Sequence, residues 1–111
     1  MIQRTASVDE IVARFAAAIT PRTRALLISH VINLTGQFLP VREIVLMARA
    51  RGVLVVVDGA HGFAHVPLNR DALACDIYAT SLHKWLGAPH GTGFLYVRRE
   101  RIAEIWPLYP A

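Results

Sequence analysis

Apolar residues along the chain recur with two different spacings, and the change of spacing separates predicted helices from predicted strands. After Ser7 they return every three or four positions, and Glu10 stands at the capping-box distance from Ser7. The pattern predicts an amphipathic helix that ends before Thr20. A second helix is predicted to have Pro40 in its first turn and Gly52 as its C-terminal cap.

Four short apolar runs are typical of strands, at residues 25–30, 53–58, 75–81 and 94–97. A strand, a helix and a strand in succession predict a parallel βαβ unit. The segment between the third and fourth strands offers no helix that could cross back over the sheet, so the last strand is predicted to be antiparallel. A short helical turn is expected after Asn69, and a final helix over residues 99–106. The fold class predicted is therefore α/β, a mostly parallel sheet with flanking helices.

Length and composition exclude several classes of protein. A chain of 111 residues can bury one modest core. The net charge of +4 comes from arginines spread along the chain, whereas a nucleic-acid surface would need them clustered. Apolar runs fall short of the ~20 residues that span a bilayer, and no secretory signal is visible. A single cysteine, Cys75, excludes an internal disulfide and fits a reducing compartment, so a cytoplasmic location is expected.

Polar side chains follow two of the predicted strands. Asp58 ends the valine-rich run, and Ser81, His83 and Lys84 end the next one. Because ligands bind at the carboxyl ends of strands in open α/β sheets, these groups are expected at one crevice. A metal site using Asp58, His61, His65 and His83 is disfavoured, since His61 and His65 would share a face only on a helix and Gly59, Gly62 and Pro67 oppose one.

A nucleotide-hydrolase site is disfavoured as well. The apolar strand that ends in Asp58 has the character of a Walker-B strand, but the sequence contains no G-x-x-x-x-G-K-[ST] loop.

Four motifs carry a resemblance to a known family. They are S-H-V-I-N-L-T-G at residues 29–36, D-G-A-H at 58–61, S-L-H-K at 81–84 and G-A-P-H-G-T-G at 87–93. In this order they resemble the class V aminotransferases, the pyridoxal-phosphate (PLP) enzymes that include cysteine desulfurases and isopenicillin N epimerase-like enzymes. The resemblance implies that residues 1–111 are the central part of the large domain of a fold-type I transferase. An N-terminal part and a C-terminal small domain would be absent, and the intact protein would be a homodimer.

By this resemblance, Lys84 is the catalytic residue that forms the Schiff base with PLP, which requires an amine that is partly unprotonated near pH 7. Lys84 is also the only lysine of the chain, and arginine could not replace it because its guanidinium does not deprotonate. Asp58 would stand beside the pyridine nitrogen, where a buried carboxylate favours the protonated ring. The alternative role for Asp58 is a helix cap or a loop residue.

The resemblance assigns four further cofactor contacts. Ser81 and His83 would hold the phosphate, and His61 stands where the family often has a Gln next to the phenolic oxygen. Asn33 would approach the cofactor ring and the substrate. Three of the four have a structural alternative: a turn hydroxyl for Ser81, a core histidine for His83 and a turn residue for Asn33.

Two functions remain open at this stage. The intact protein would be a PLP-dependent enzyme that transaminates or epimerises a small amino-acid-like substrate, with Lys84 also carrying the proton. Alternatively, the chain would be a non-catalytic remnant with at most weak PLP binding. A desulfurase would need a reactive cysteine beyond this segment, so Cys75 does not argue for that activity.

Overall fold

Four strands form one sheet in chain order; helices lie between the first three strands, and a segment of turns joins the third strand to the fourth. The computed structural model describes residues 6–106. The elements are α1 (Val8–Ala18), β1 (Ala25–Ser29), α2 (Val41–Arg49), β2 (Leu54–Asp58), α3 (Arg70–Leu73), β3 (Ile77–Ser81), β4 (Gly93–Val97) and a 3₁₀ helix (Arg99–Glu104). The predicted α/β class is confirmed.

The strand register brings two predicted site residues to the same edge of the sheet. β1 and β2 are parallel, with Ser29 opposite Asp58, and β2 and β3 are parallel, with Asp58 opposite Ala79. β4 runs antiparallel to β3 and places Gly93 opposite Ser81. The predicted parallel βαβ pairing and the antiparallel last strand are thus confirmed. Asp58 and Ser81 both end their strands at the carboxyl edge of the parallel sheet.

The core lies between α2 and one face of the sheet. Ile44, Val45 and Ala48 recur at helical spacing and are fully buried, as are Val55 and Val57 on β2. The partly buried apolar face of α1 packs against this cluster through Ile11, Val12 and Phe15. Central strand β2 therefore anchors the residues that follow it.

The predicted helix boundaries hold, with small differences. Ser7 and Glu10 form the expected capping box, in which the Glu10 carboxylate accepts from the Ser7 N–H at 2.7 Å. Pro40 directly precedes α2, which ends at Arg49. Gly52 is not the capping residue itself but lies beyond the helix end. Its φ of +70° lets the chain turn into β2, a conformation that glycine adopts without strain.

Two predicted boundaries at the far end of the sheet were wrong. β3 begins at Ile77 because Asp76, which the prediction placed in the strand, uses its side chain to accept from the Val55 N–H. The last helix is a 3₁₀ helix that ends at Glu104 instead of residue 106. Its three-residue repeat aligns Arg101 with Glu104, and the two form an ion pair at 3.0 Å.

Candidate functional site

The segments that follow β2 and β3 meet at the carboxyl edge of the sheet. His61 lies three residues beyond the last residue of β2, and Lys84 lies three residues beyond the last residue of β3. His61 Nε2 and Lys84 Nζ are 3.2 Å apart. The sheet thus brings an imidazole and an amine, 23 positions apart in the chain, into hydrogen-bond contact.

Backbone and side-chain hydrogen bonds fix the turn after β2. The Asp58 carboxylate accepts from the Ala60 N–H at 2.9 Å, and the Gly59 N–H donates to the Ala79 carbonyl at 2.7 Å. This carboxylate is nevertheless exposed, as is Lys84. The expectation of a buried carboxylate at a dry sheet edge was wrong for the described residues, because no segment among them covers it.

A second turn, after β3, presents Lys84. The Leu82 N–H donates to the Thr92 carbonyl at 3.0 Å, and the Ala88 N–H donates to the Leu82 carbonyl at 3.1 Å. Gly93 faces this turn so closely that an added Cβ would lie 2.7 Å from the Thr80 carbonyl oxygen. The glycine-rich segment after Lys84 therefore packs tightly against β3.

His83 has an unpaired polar atom at this edge of the sheet. Its Nδ1 is buried and has no hydrogen-bond partner anywhere in residues 6–106, and its ring lies 5.2 Å from that of His90. Buried polar atoms in native proteins are nearly always paired, so an unpaired one indicates a missing partner such as a ligand. Ser81, half-buried, ends the adjacent strand. When it is protonated, such an imidazole nitrogen can donate a hydrogen bond to a phosphate oxygen.

Asn33 is not brought into this group. It is exposed in the turn between Val31 and Phe38, two residues that form an isolated bridge. Its side chain makes no hydrogen bond with the other predicted site residues within the part of the chain that the structure describes. The role that the resemblance implies for Asn33 remains a prediction.

Trp85 is a site residue that the sequence reasoning missed. Its indole N–H donates to His61 Nδ1 at 3.4 Å, and the ring of His65 stacks on it at 3.9 Å between centroids. His65 Nδ1 is in turn 3.0 Å from the His61 carbonyl oxygen. The position of Trp85 directly after Lys84 was the available signal. His65 lies in the loop after β2 and contacts Trp85.

A buried pair lies beneath the turn after β2. His30 Nδ1 and the Tyr78 hydroxyl are 3.2 Å apart. Burial lowers the pKa of His30, and burial raises the pKa of Tyr78 to about 12. An added Cβ at Gly59 would overlap the Tyr78 ring, and one at Gly62 would overlap His30. The two glycines of D-G-A-H-G are therefore needed for the packing of this pair.

Cys75 is a structural residue. It is almost completely buried, and this burial is the main cause that raises the pKa of its thiol. Because the thiolate is the reactive form, such a cysteine is a poor nucleophile.

Residues 6–106 contain neither a candidate metal cluster nor a candidate membrane span. The structure shows no group of three or more His, Cys, Asp or Glu side chains there that could hold a metal ion. In the same range, each helix is too short or too polar to cross a membrane.

The fold and this site together define a class of protein: an α/β segment that presents an amine, a carboxylate and imidazoles at the carboxyl edge of its sheet. The family model Aminotransferase class-V matches residues 2–111, and the chain belongs to that family. Isopenicillin N epimerase of Amycolatopsis lactamdurans is 48% identical over 106 residues, which are 96% of this chain and 27% of the epimerase. A cysteine desulfurase of Yersinia pestis (strain Pestoides F) is 38% identical over 93% of this chain and 25% of its own length.

A solved structure gives the cofactor of the family. A mutant of C-DES with glycine covalently linked to the PLP cofactor matches this fold with a TM-score of 0.85 and 37% identity. The match covers 88% of this chain and 26% of that one. Pyridoxal 5′-phosphate is therefore the cofactor that the family indicates, and the donor set described here fits it. The chain spans about a quarter of the length of the relatives that it matches.

Proposed function

We propose that this chain is the central part of a PLP site and that Lys84 is the amine that binds the cofactor aldehyde. The observation that carries the proposal is the contact of 3.2 Å between Lys84 Nζ and His61 Nε2, which joins the two motifs at one sheet edge. Lys84 is the only lysine of the chain. An exposed amine is accessible to an aldehyde.

The other donors would orient the cofactor around this amine. When bound, PLP supplies an electron sink for carbanion chemistry at the substrate's α-carbon. Asp58 would hold the proton on the ring nitrogen, since a carboxylate next to it favours the charged form. The unpaired Nδ1 of His83 and the Ser81 hydroxyl would bind the phosphate, and His61 would donate to the phenolic oxygen.

The reaction proposed for the intact protein is epimerisation or transamination of a small amino-acid-like substrate. In both reactions, a base would take the proton from the α-carbon of the substrate. Epimerisation would return a proton to the opposite face of that carbon, whereas transamination would deliver it elsewhere, and the Lys84 amine would carry the proton. The similarity to an isopenicillin N epimerase supports the epimerising alternative. The remaining contacts to the substrate, and a homodimer interface, would come from parts of the intact protein beyond this segment.

A second candidate is a non-catalytic remnant that binds PLP weakly. The observation in its favour is the exposure of both Asp58 and Lys84. A carboxylate in water stabilises a ring cation much less than a carboxylate in a dry site.

The covalent step is tested by adding PLP to the purified chain, reducing with borohydride and mapping the pyridoxyl group by peptide mass spectrometry. We expect one label, on Lys84. The matched control is Lys84→Arg, which keeps the positive charge but cannot react with an aldehyde. Absence of label from a folded chain, or an equal label elsewhere in Lys84→Arg, would reject Lys84 as the cofactor amine.

Catalysis is tested by incubating the loaded protein with amino acids in D₂O and measuring deuterium at the α-carbon. Chiral chromatography then separates epimerisation from transamination. We expect exchange in the wild-type protein, and in Asp58→Asn a retained pyridoxyl label with exchange slowed by at least ~100-fold, since the ring would lose its charged partner. A labelled protein without exchange in any amino acid would support the remnant.

A further inference from the structure

We infer that Trp85 is a positioning residue: its indole N–H holds His61 in the tautomer with the proton on Nε2, and this tautomer favours the unprotonated form of Lys84. Membership of the class V aminotransferase family does not by itself assign this role to Trp85. The consequence of this arrangement for PLP binding rests on the proposed function. The hydrogen bonds themselves do not depend on that function.

Both nitrogens of the His61 ring have a partner. Trp85 Nε1 is 3.4 Å from Nδ1, and Lys84 Nζ is 3.2 Å from Nε2. An indole nitrogen can only donate. His61 Nδ1 must therefore be the acceptor in the contact with Trp85.

The remaining assignment follows from the chemistry of imidazole. A neutral ring carries one proton, so a ring that accepts at Nδ1 has its proton on Nε2. Nε2–H can only donate to Lys84, and Lys84 Nζ can accept only when it has a lone pair, as the unprotonated amine. An ammonium group at Lys84 has no lone pair and would require Nε2 to accept. A neutral His61 ring has only one acceptor nitrogen. It therefore cannot accept from the Trp85 indole at Nδ1 and from a Lys84 ammonium group at Nε2 at the same time.

His65 fixes the indole in the required orientation. Its ring lies nearly parallel to that of Trp85, at an interplanar angle of 10°. The His61 carbonyl oxygen, 3.0 Å from His65 Nδ1, can only accept, so His65 donates to it. The loop after β2 thus holds Trp85 through His65 and accepts the indole hydrogen bond at His61. His61, Trp85 and His65 form a closed ring of contacts next to the Lys84 amine.

Few charged groups surround this ring of contacts. On the loop after β2 the titratable groups are His61 and His65, with the Asp58 carboxylate three residues before His61. On the turn after β3 they are Lys84 itself, His83 and His90. Among these, His61 is the only side chain with a hydrogen bond to Lys84 in residues 6–106. The tautomer of His61 therefore determines whether the protonated or the unprotonated form of Lys84 is favoured.

The chain offers a direct measurement because Lys84 is its only lysine. Labelling with [ζ-¹⁵N]lysine gives one side-chain NMR signal, which can be titrated in the cofactor-free protein. The variant is Trp85→Phe, which keeps a flat ring for His65 but removes the N–H. The matched control is Trp106→Phe, because Trp106 is the second tryptophan of the chain and is exposed, as Trp85 is.

In Trp85→Phe we expect the titration midpoint of the Lys84 amine to rise by about half a pH unit, which leaves about threefold less unprotonated amine near neutral pH. The pH profile of PLP capture should shift by the same amount, and Trp106→Phe should leave both unchanged. An unchanged midpoint in a folded Trp85→Phe chain would overturn the inference.

A second measurement needs no variant of Trp85. The ¹⁵N shifts of the His61 ring, identified by their loss in His61→Gln, report the tautomer in the wild-type chain. Protonation on Nε2 is the expected result, and protonation on Nδ1 would overturn the inference. Both measurements are made without cofactor, so a failure to bind PLP would count against the proposed function and not against the role of Trp85.

Discussion

The ring of Tyr78 occupies the space above Gly59 in which any other residue would need its Cβ. Gly59 follows the last residue of β2, and Tyr78 is a buried residue of the neighbouring strand β3. Its hydroxyl then reaches His30, beyond the end of β1. The glycine of D-G-A-H thus permits a contact that connects three strands beneath the site.

Gly59→Ala should destabilise the chain by about 1–3 kcal/mol, because the new methyl group can be accommodated only if the Tyr78 ring moves. Urea unfolding followed by circular dichroism measures this loss. Tyr78→Leu in the same chain removes the obstruction, so the double variant should lose less than the sum of the two single variants. Strict additivity of the two losses would contradict the steric explanation.

Stability should fall as the pH decreases below the ordinary pKa of histidine, about 6.5. Burial lowers the pKa of His30 in the folded chain, so the unfolded chain binds this proton first. The contribution of His30 is therefore complete above pH ~6.5 and is lost as the pH falls through the lower, folded value. The free energy of unfolding, measured from pH 7 towards pH 5, should decrease with falling pH, and His30→Gln should reduce the slope of this decrease. An equal slope in the variant would show that other groups cause it.

Asp76 should be a main determinant of stability at the opposite end of β3. This fully buried carboxylate accepts from the Val55 N–H at 3.0 Å and from Arg101 Nε at 3.3 Å. Asp76→Asn keeps an acceptor for Val55 but removes the charge opposite Arg101, and we expect a loss of about 1–3 kcal/mol in the free energy of unfolding.

The matched control for Asp76 is Asp71→Asn, which removes an exposed carboxylate paired with Arg70 at 2.8 Å. Water screens such a pair, so stability should hardly change. Equal losses in Asp71→Asn and Asp76→Asn, measured by urea unfolding, would show that burial is not what makes Asp76 important.

The Cys75 thiol should resist alkylation by iodoacetamide in the folded chain and react readily in urea, because burial raises its pKa and excludes the reagent. Mass spectrometry at fixed times measures the modified fraction. Rapid modification without denaturant would show that the segment before β3 opens easily.

The sequence by itself determined the order of the elements and the motifs of the site. Apolar spacing predicted α1 and α2, short apolar runs predicted the strands, and a segment without a helix to cross the sheet predicted an antiparallel β4. These inferences succeed because period, capping and strand composition are local properties of the chain. The motifs were likewise enough to indicate the family before any geometry was known.

Only the tertiary structure decided which side chains meet. The contact of His61 with Lys84, the N–H of Trp85 on the same imidazole and the Tyr78 ring over Gly59 join residues 19 to 24 positions apart. No local pattern encodes such pairs, since they depend on the register of β2 against β3. The exposure of Asp58 and the ending of the last helix at Glu104 were decided in the same way, by what the surrounding segments cover and bind.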